Sequence, residues 1–365
     1  MLPDFPWNSL AGAAARARAH ADGIVDLSVG TPVDPTPEVL QRALREAADA
    51  PGYPTVYGTP ALREAVASWF ARRRGVAGLD PDGVLPTVGS KELVAWLPTL
   101  LGLGPGDVVV HPAIAYPTDD VGARLAGAAP LPCDDVTTLP ASGVTPQGRV
   151  RLVWVNSPGN PHGAVLDEQQ LARTVAWARS VGAVVAGDEC YAELAWDVDR
   201  VPSVLDPAVA QGSHEGLLSV YSLSKQSNLA GYRAAFVAGD VTLVRQLVEL
   251  RKHAGMIVPW PVQEALRVAL GDDVHVADQR ARYARRREIA RAALVGAGLR
   301  IDESRAGLYL WATREEPCRD TVDWFAERGV LVAPGEFYGA EGARHVRVAL
   351  TATDERIARL AARLA

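Results

Sequence analysis

The sequence predicts an α/β fold: a mostly parallel sheet flanked by helices in a large unit, followed by a smaller α+β unit. Three observations carry this. Short β-branched runs alternate with longer amphipathic stretches between about residues 84 and 252. The runs are apolar on both faces, as strands covered by helices on both sides must be. After Pro261 the texture changes to one long charged helical pattern and a few short strands.

Residues 1–36, rich in proline and turn formers, are too few for a core of their own and are expected to pack with the smaller unit. The large unit is expected over 37–260. Its strands are read at 84–88, 107–111, 151–156, 183–188, 217–221 and 234–238, each a brief apolar run bounded by turn residues. Helices are read at 91–101, 168–181 and 241–252, where apolar residues recur at helical spacing. The unit over 261–365 holds a helix at 274–297, strands near 308–312, 330–332 and 346–349, and a terminal helix.

Composition narrows the chemistry. With 48% hydrophobic and 22% charged residues among 365, the chain is a globular protein. A net charge of -6 gives no electrostatic reason to expect nucleic acid or an anionic membrane. The longest apolar stretch, 93–104, is broken by Pro98 and is too short to span a bilayer, and residues 1–20 show no secretory h-region. Cys133, Cys190 and Cys318 lie far apart, which fits reduced thiols in a cytoplasm and no metal site. Of 37 basic side chains only Lys91, Lys225 and Lys252 are lysines. Chemistry that needs a deprotonatable amine is confined to those three, because arginine stays charged.

Two patterns mislead. The glycines of 102–106 follow a helix and precede a strand, the reverse of a dinucleotide loop. The arginine-rich run 280–287 lies on a long helix and reads as a solvated face. The informative region opens at Gly89-Ser90-Lys91, where a strand turns into a helix whose free N–H groups suit a phosphate. Asn160, in Asn-Pro-His-Gly, follows the next strand into a turn. Asp188-Glu-Cys-Tyr191 ends a further strand, and Ser222-Leu-Ser-Lys225 leaves another, with Arg233 eight residues on. Carboxyl ends of parallel strands are where such sheets bind ligands. The edge therefore collects an amine, a carboxylate, an amide, a phenol and phosphate-binding groups. These meet the needs of pyridoxal 5'-phosphate: an amine for its aldehyde, a carboxylate for its ring nitrogen, and hydroxyls and an arginine for its phosphate.

With these pieces in this order, the chain resembles the class I/II aminotransferases of fold type I over essentially its full length. Further carriers are Gly231-Tyr-Arg233 and Val346-Arg347-Val-Ala349. The resemblance implies that Lys225 is the Schiff-base lysine and proton shuttle, Asp188 pairs with the ring nitrogen, and Asn160 and Tyr191 bond the ring oxygen. It also implies that Tyr116 stacks on the ring, while Ser90, Lys91 (through its backbone N–H), Ser222 and Arg233 hold the phosphate. Arg347 would clamp the substrate α-carboxylate and Gly30 would line the substrate mouth. Tyr57 would reach the phosphate of a neighbouring subunit, making a homodimer with shared active sites.

A narrower likeness, to the actinobacterial succinyldiaminopimelate transaminases, rests on the stretches 26–34, 251–256, 306–314 and 346–354. It implies small-molecule substrates: succinylated diaminopimelate with 2-oxoglutarate and glutamate. The alternative is the same reaction on another amino acid in a natural-product pathway, and a β-lyase would share every cofactor residue. For a distal substrate carboxylate the candidate cations are Lys91, Arg251 and Lys252. Three positions depart from the pattern: His162 in place of threonine, Asp119 in place of an aromatic, and Trp260 between two prolines. The last two are expected near the substrate entrance.

Overall fold

The computed structural model describes residues 4–365. In chain order, the first helix α1 (Ala11–Arg18) leads to strand β1 (Val25–Asp26), then α2 (Glu38–Glu46) and α3 (Pro60–Trp69). Next come β2 (Val84–Val88), α4 (Ser90–Leu100), β3 (Asp107–His111), α5 (Thr118–Leu125) and β4 (Ala129–Pro132). The short β5 (Val144–Thr145) pairs with β6 (Gly148–Asn156), and α6 (Glu168–Val181), β7 (Val184–Asp188) and α7 (Pro207–Ala210) follow. Then run β8 (Leu217–Ser222), β9 (Ala234–Gly239), α8 (Val241–Ala254), α9 (Trp260–Gly271) and α10 (Asp273–Gly296). The chain finishes with β10 (Arg300–Asp302), β11 (Tyr309–Thr313), α11 (Cys318–Glu327), β12 (Val330–Leu331), β13 (Ala333–Pro334), β14 (Val346–Ala349) and α12 (Asp354–Leu364).

The large sheet has the order β2-β9-β8-β7-β6-β3-β4. Along this path only β9 runs against its neighbours; the other pairings are parallel. Apolar residues leave both faces, Val153 and Val185 toward α6 and Leu152 and Ala186 toward α4 and α8. Helix α6 shows how the sequence builds such a layer. Asp167 caps it by accepting from Gln170 N at 2.7 Å, Gln170 returns the bond, and Gly182 ends it in the left-handed region at φ 72°. Leu171, Val175 and Ala178, on one helical stripe, are its buried face.

Helix α4 runs straight through Pro98, which cannot donate to the carbonyl of Val94. Gly122 of α5 lies against that carbonyl; a Cβ there would come within 2.8 Å of it. Close packing of α5 on α4 is thus tied to a glycine opposite a proline.

A four-stranded antiparallel sheet, β10-β11-β14-β13, forms a second core with α10, α11 and α12. The N-terminal segment joins it: Leu10, Ala14, Ala17 and Leu27 are buried there, and β1 pairs in parallel with β12. The expected change of unit at residue 261 needs a correction. Val262, Leu266, Ala269 and Leu270 of α9 pack into the core of the large sheet. The proline before α9 reads as a boundary, but Pro259 and Pro261 flank the first position of a helix, where a missing N–H costs nothing.

Candidate active site

The parallel register sets Asn156 beside Asp188 and Asp188 beside Val220, so β6 and β7 end level and β8 runs two residues further, to Ser222. Above those ends lies a cavity of about 260 Å³. Gly30, Ser90, Lys91, Tyr116, Asn160, Asp188, Tyr191, Ser222, Lys225, Arg233 and Arg347 all line it. Residues as far apart as 30 and 347 therefore meet at the predicted edge. Tyr57 does not line this cavity. Its hydroxyl donates to Asp82 O at 2.6 Å, and the Arg63 guanidinium lies 4.1 Å over its ring.

One end of the cavity is built for an anion. Gly89, at φ 78°, precedes α4 and gives that helix no side-chain cap, so its first N–H groups are free. A Cβ at Gly89 would collide with the Arg233 guanidinium, which therefore needs this glycine to reach the helix start. Arg233 itself holds a left-handed φ of 57° and is braced by Nη1 on Ala230 O at 2.9 Å. Ser222 donates from Oγ to Ser224 Oγ at 2.8 Å. A helix N-terminus, hydroxyls and an arginine are the donors a phosphate monoester requires.

The opposite end is acidic. Asp188 accepts from Cys190 N at 3.2 Å and has no cation beside it among the described residues. Burial pushes its carboxyl up, against the contacts with Cys190 that pull it down. A half-buried carboxylate with no cation of the chain beside it fits a protonated ring nitrogen. Between the two ends, Lys225 donates from Nζ to Gly30 O. Its amine is pushed below the ordinary lysine range, chiefly by burial, which favours the neutral nucleophilic form.

Asn160 is held from below: its N–H donates to Asn156 Oδ1 at 2.7 Å, and Asn156 Nδ2 donates to Asp188 O at 3.0 Å. Above it, Arg347 donates from Nη1 to Asn160 Oδ1 at 3.0 Å and from Nη2 to Ser28 O at 2.8 Å. The Arg347 guanidinium lies 4.1 Å over the Tyr309 ring and 5.0 Å over Tyr338. Tyr309 in turn shares a hydrogen bond of 3.1 Å with the Tyr191 hydroxyl. Tyr309, Asn156 and Cys190 line the cavity without having been singled out from the sequence. Tyr309 lies in a stretch that carries the family likeness, but no spacing rule marks it as a site residue.

The candidate cations separate cleanly. Arg251 is fully buried and bound to Glu92 at 2.8 Å and 3.2 Å, so it serves the fold. Lys252 is exposed, pairs with Glu249 at 2.6 Å and is absent from the cavity. Lys91 remains, its Nζ donating to Tyr116 Oη at 3.2 Å. Of the departures, Trp260 opens α9 and does not line the cavity. His162 lines a neighbouring cavity, where burial lowers its imidazole to about 4 and keeps it neutral. Asp119 lines the cofactor cavity itself, on the first turn of α5.

Sheet topology and cavity together define a pyridoxal-phosphate enzyme of fold type I. The family described as Aminotransferase class I and II matches residues 22–364, and the chain belongs to that family. It is 58% identical to a probable aminotransferase of Mycobacterium tuberculosis over 363 residues, covering 100% of this chain and 85% of that protein. It is 57% identical over 363 residues to the 4-dedimethylamino-4-oxo-anhydrotetracycline transaminase OxyQ of Streptomyces rimosus, covering 100% of this chain and 99% of that one. Among solved structures, a probable N-succinyldiaminopimelate aminotransferase from Thermus thermophilus superposes with a TM-score of 0.86 at 29% identity, covering 99% of each chain. The chain is thus a pyridoxal-phosphate-dependent aminotransferase of small-molecule amino and keto acids. Among the described residues no helix is long and apolar enough to cross a membrane.

Proposed function

We propose that this aminotransferase serves a natural-product pathway, taking its amino group from an amino acid and delivering it to a carbonyl substrate outside lysine biosynthesis. The observation that supports this best is the 57% identity with OxyQ along nearly the whole of both chains. The diaminopimelate-type structure shares only 29%. When bound, pyridoxal phosphate supplies an aldehyde that condenses with amines and a protonated ring that draws electrons from the substrate Cα. The rest falls to the chain. Lys225 holds the cofactor and, once exchanged for substrate, carries the proton to and from Cα. Asp188 keeps the ring nitrogen protonated, while Asn160 and Tyr191 bond the ring oxygen. Tyr116 covers the ring face. Ser90, the Lys91 N–H, Ser222 and Arg233 hold the phosphate. Arg347 takes the α-carboxylate of the donor, with Gly30 at the mouth. Tyr57, turned away from its own cavity, is assigned to the phosphate of a second copy in a cytoplasmic homodimer.

A second reading keeps succinylated diaminopimelate with 2-oxoglutarate and glutamate. It is favoured by Lys91, which lines the cavity and makes no ion pair among the described residues, leaving its charge for a distal carboxylate. A panel of acceptors decides between them: keto forms of acylated diaminopimelates, polycyclic ketones and small aliphatic keto acids, each with glutamate as donor. Turnover of polycyclic ketones well above the diaminopimelate series supports the first reading, and the reverse order replaces it with the second.

A further inference from the structure

Asp119 and Asp188 are the two carboxyl groups that line the cofactor cavity. Asp119 sits three residues after Tyr116 and is 8% exposed. Its N–H is satisfied by Tyr116 O at 3.1 Å, yet its carboxyl oxygens have neither a hydrogen-bond donor nor a cation among the described residues. The charges around it offer no relief. On its own helix, Asp120 is paired with Arg124 at 2.6 Å. From α4, Lys91 is turned to the Tyr116 hydroxyl and Glu92 is held by Arg251. At the end of β3, His111 is kept neutral by burial, with Nδ1 on Pro112 O. Lys225 and Arg233 line the same cavity but are directed to Gly30 and to the start of α4. Beyond burial itself, the influences on Asp119 are the like charges of Asp188 and Asp120, and all push its carboxyl well up.

We propose that Asp119 is a positioning residue for the cofactor: it shares a single proton with Asp188, so the ring-nitrogen end of the cavity carries one negative charge instead of two. An unpaired carboxylate in this setting costs far more than its protonation. Two acids that face the same space ionise one at a time. Asp119 is the protonated member, because Asp188 has the Cys190 N–H and Asp119 has nothing. Asp188 thus meets the ring nitrogen as the sole anion, and Asp119 holds a proton in reserve beside it. The aromatic residue that the family likeness leads one to expect at 119 could not titrate in this way. The inference rests on the placement of the ring nitrogen at Asp188.

A linkage follows. The positive ring nitrogen offsets the charge of Asp188 that holds Asp119 protonated, so bound cofactor favours loss of the Asp119 proton. Affinity for the cofactor then gains an increment as pH rises through that ionisation. The test is titration of apoenzyme with pyridoxal phosphate, followed by tryptophan fluorescence, from about pH 6 to about pH 9. Wild type, Asp119→Asn and Asp119→Ser are compared; serine keeps a small neutral group should asparagine fold poorly. At the low end all three are expected to bind within about twofold of each other. At the high end both variants are expected to be weaker than wild type by about threefold or more, the floor set by one charge at about 6 Å screened as in water. A variant-to-wild-type ratio that stays constant with pH overturns the proposal, as does a loss already present at low pH. Wild type that fails to bind the cofactor in a Lys225-dependent way overturns instead the cofactor placement.

Discussion

Replacing Arg347 with lysine keeps the positive charge and removes the fork. In the structure Nη1 and Nη2 are braced by Asn160 Oδ1 and Ser28 O, and Nε is buried without a partner. The flat guanidinium lies against Tyr309 and Tyr338. A carboxylate gripped by two parallel N–H groups loses one of them to an ammonium, at about 1.5–3 kcal/mol for a charged hydrogen bond. Lost contact with the aromatic faces adds about 0.5–1 kcal/mol. The total, about 2–4 kcal/mol, corresponds to roughly 30-fold to 1,000-fold in kcat/KM for the amino-acid donor. The half-reaction isolates the effect: cofactor-loaded enzyme is mixed with glutamate, and the cofactor band is followed by stopped flow. The same run with a donor amine that lacks the α-carboxylate is the internal control, because Arg347 has nothing to grip there. A loss below about threefold for glutamate, or an equal loss for the control amine, would refute the assignment of Arg347 to the carboxylate.

Lys225→Ala is expected to abolish both the visible band of bound cofactor and all amino transfer; turnover that survives would sink the mechanism. Lys225→Met should raise the melting temperature of the apoenzyme. Burial depresses the Lys225 amine, so folding near neutral pH works against its charged form, and that penalty fades as pH climbs toward the ordinary lysine value of 10.5. The gain from methionine should shrink over the same range, which thermal melts at several pH values would show. Glu189→Gln should lower the urea midpoint. Glu189 and Arg74 form a buried pair at 2.9 Å, with Ser203 Oγ and Val204 N also donating to Glu189, and leaving Arg74 uncompensated costs about 3 kcal/mol.

The cofactor edge was legible because its residues obey local rules. A glycine before a helix, a carboxylate at a strand end and a lysine after a serine each announce a backbone setting, and the parallel sheet then brings them level. Strands such as Val84–Val88 and Val346–Ala349 were read to the residue because their apolar runs have clear ends. What failed to show was pairing between distant groups. Arg251, in sequence one of three candidate cations for a distal carboxylate, is held by Glu92 in the fold. Tyr309 is an ordinary strand tyrosine until Arg347 lies on its ring. Proline at 261 reads as punctuation, whereas the helix behind it belongs to the larger core. Periodicity reports which face of an element is buried, not which other element it meets.

The pairing of β1 with β12, and the reach of Arg347 to Ser28 across 319 positions of chain, has a consequence for assembly. The N-terminal segment is joined to the smaller sheet by contacts of very high sequence separation, the kind that form late because a long loop must be gathered first. During synthesis the large sheet can be complete while the strand that carries Arg347 is still unmade. The smaller sheet thus closes last, with the strand that carries Arg347.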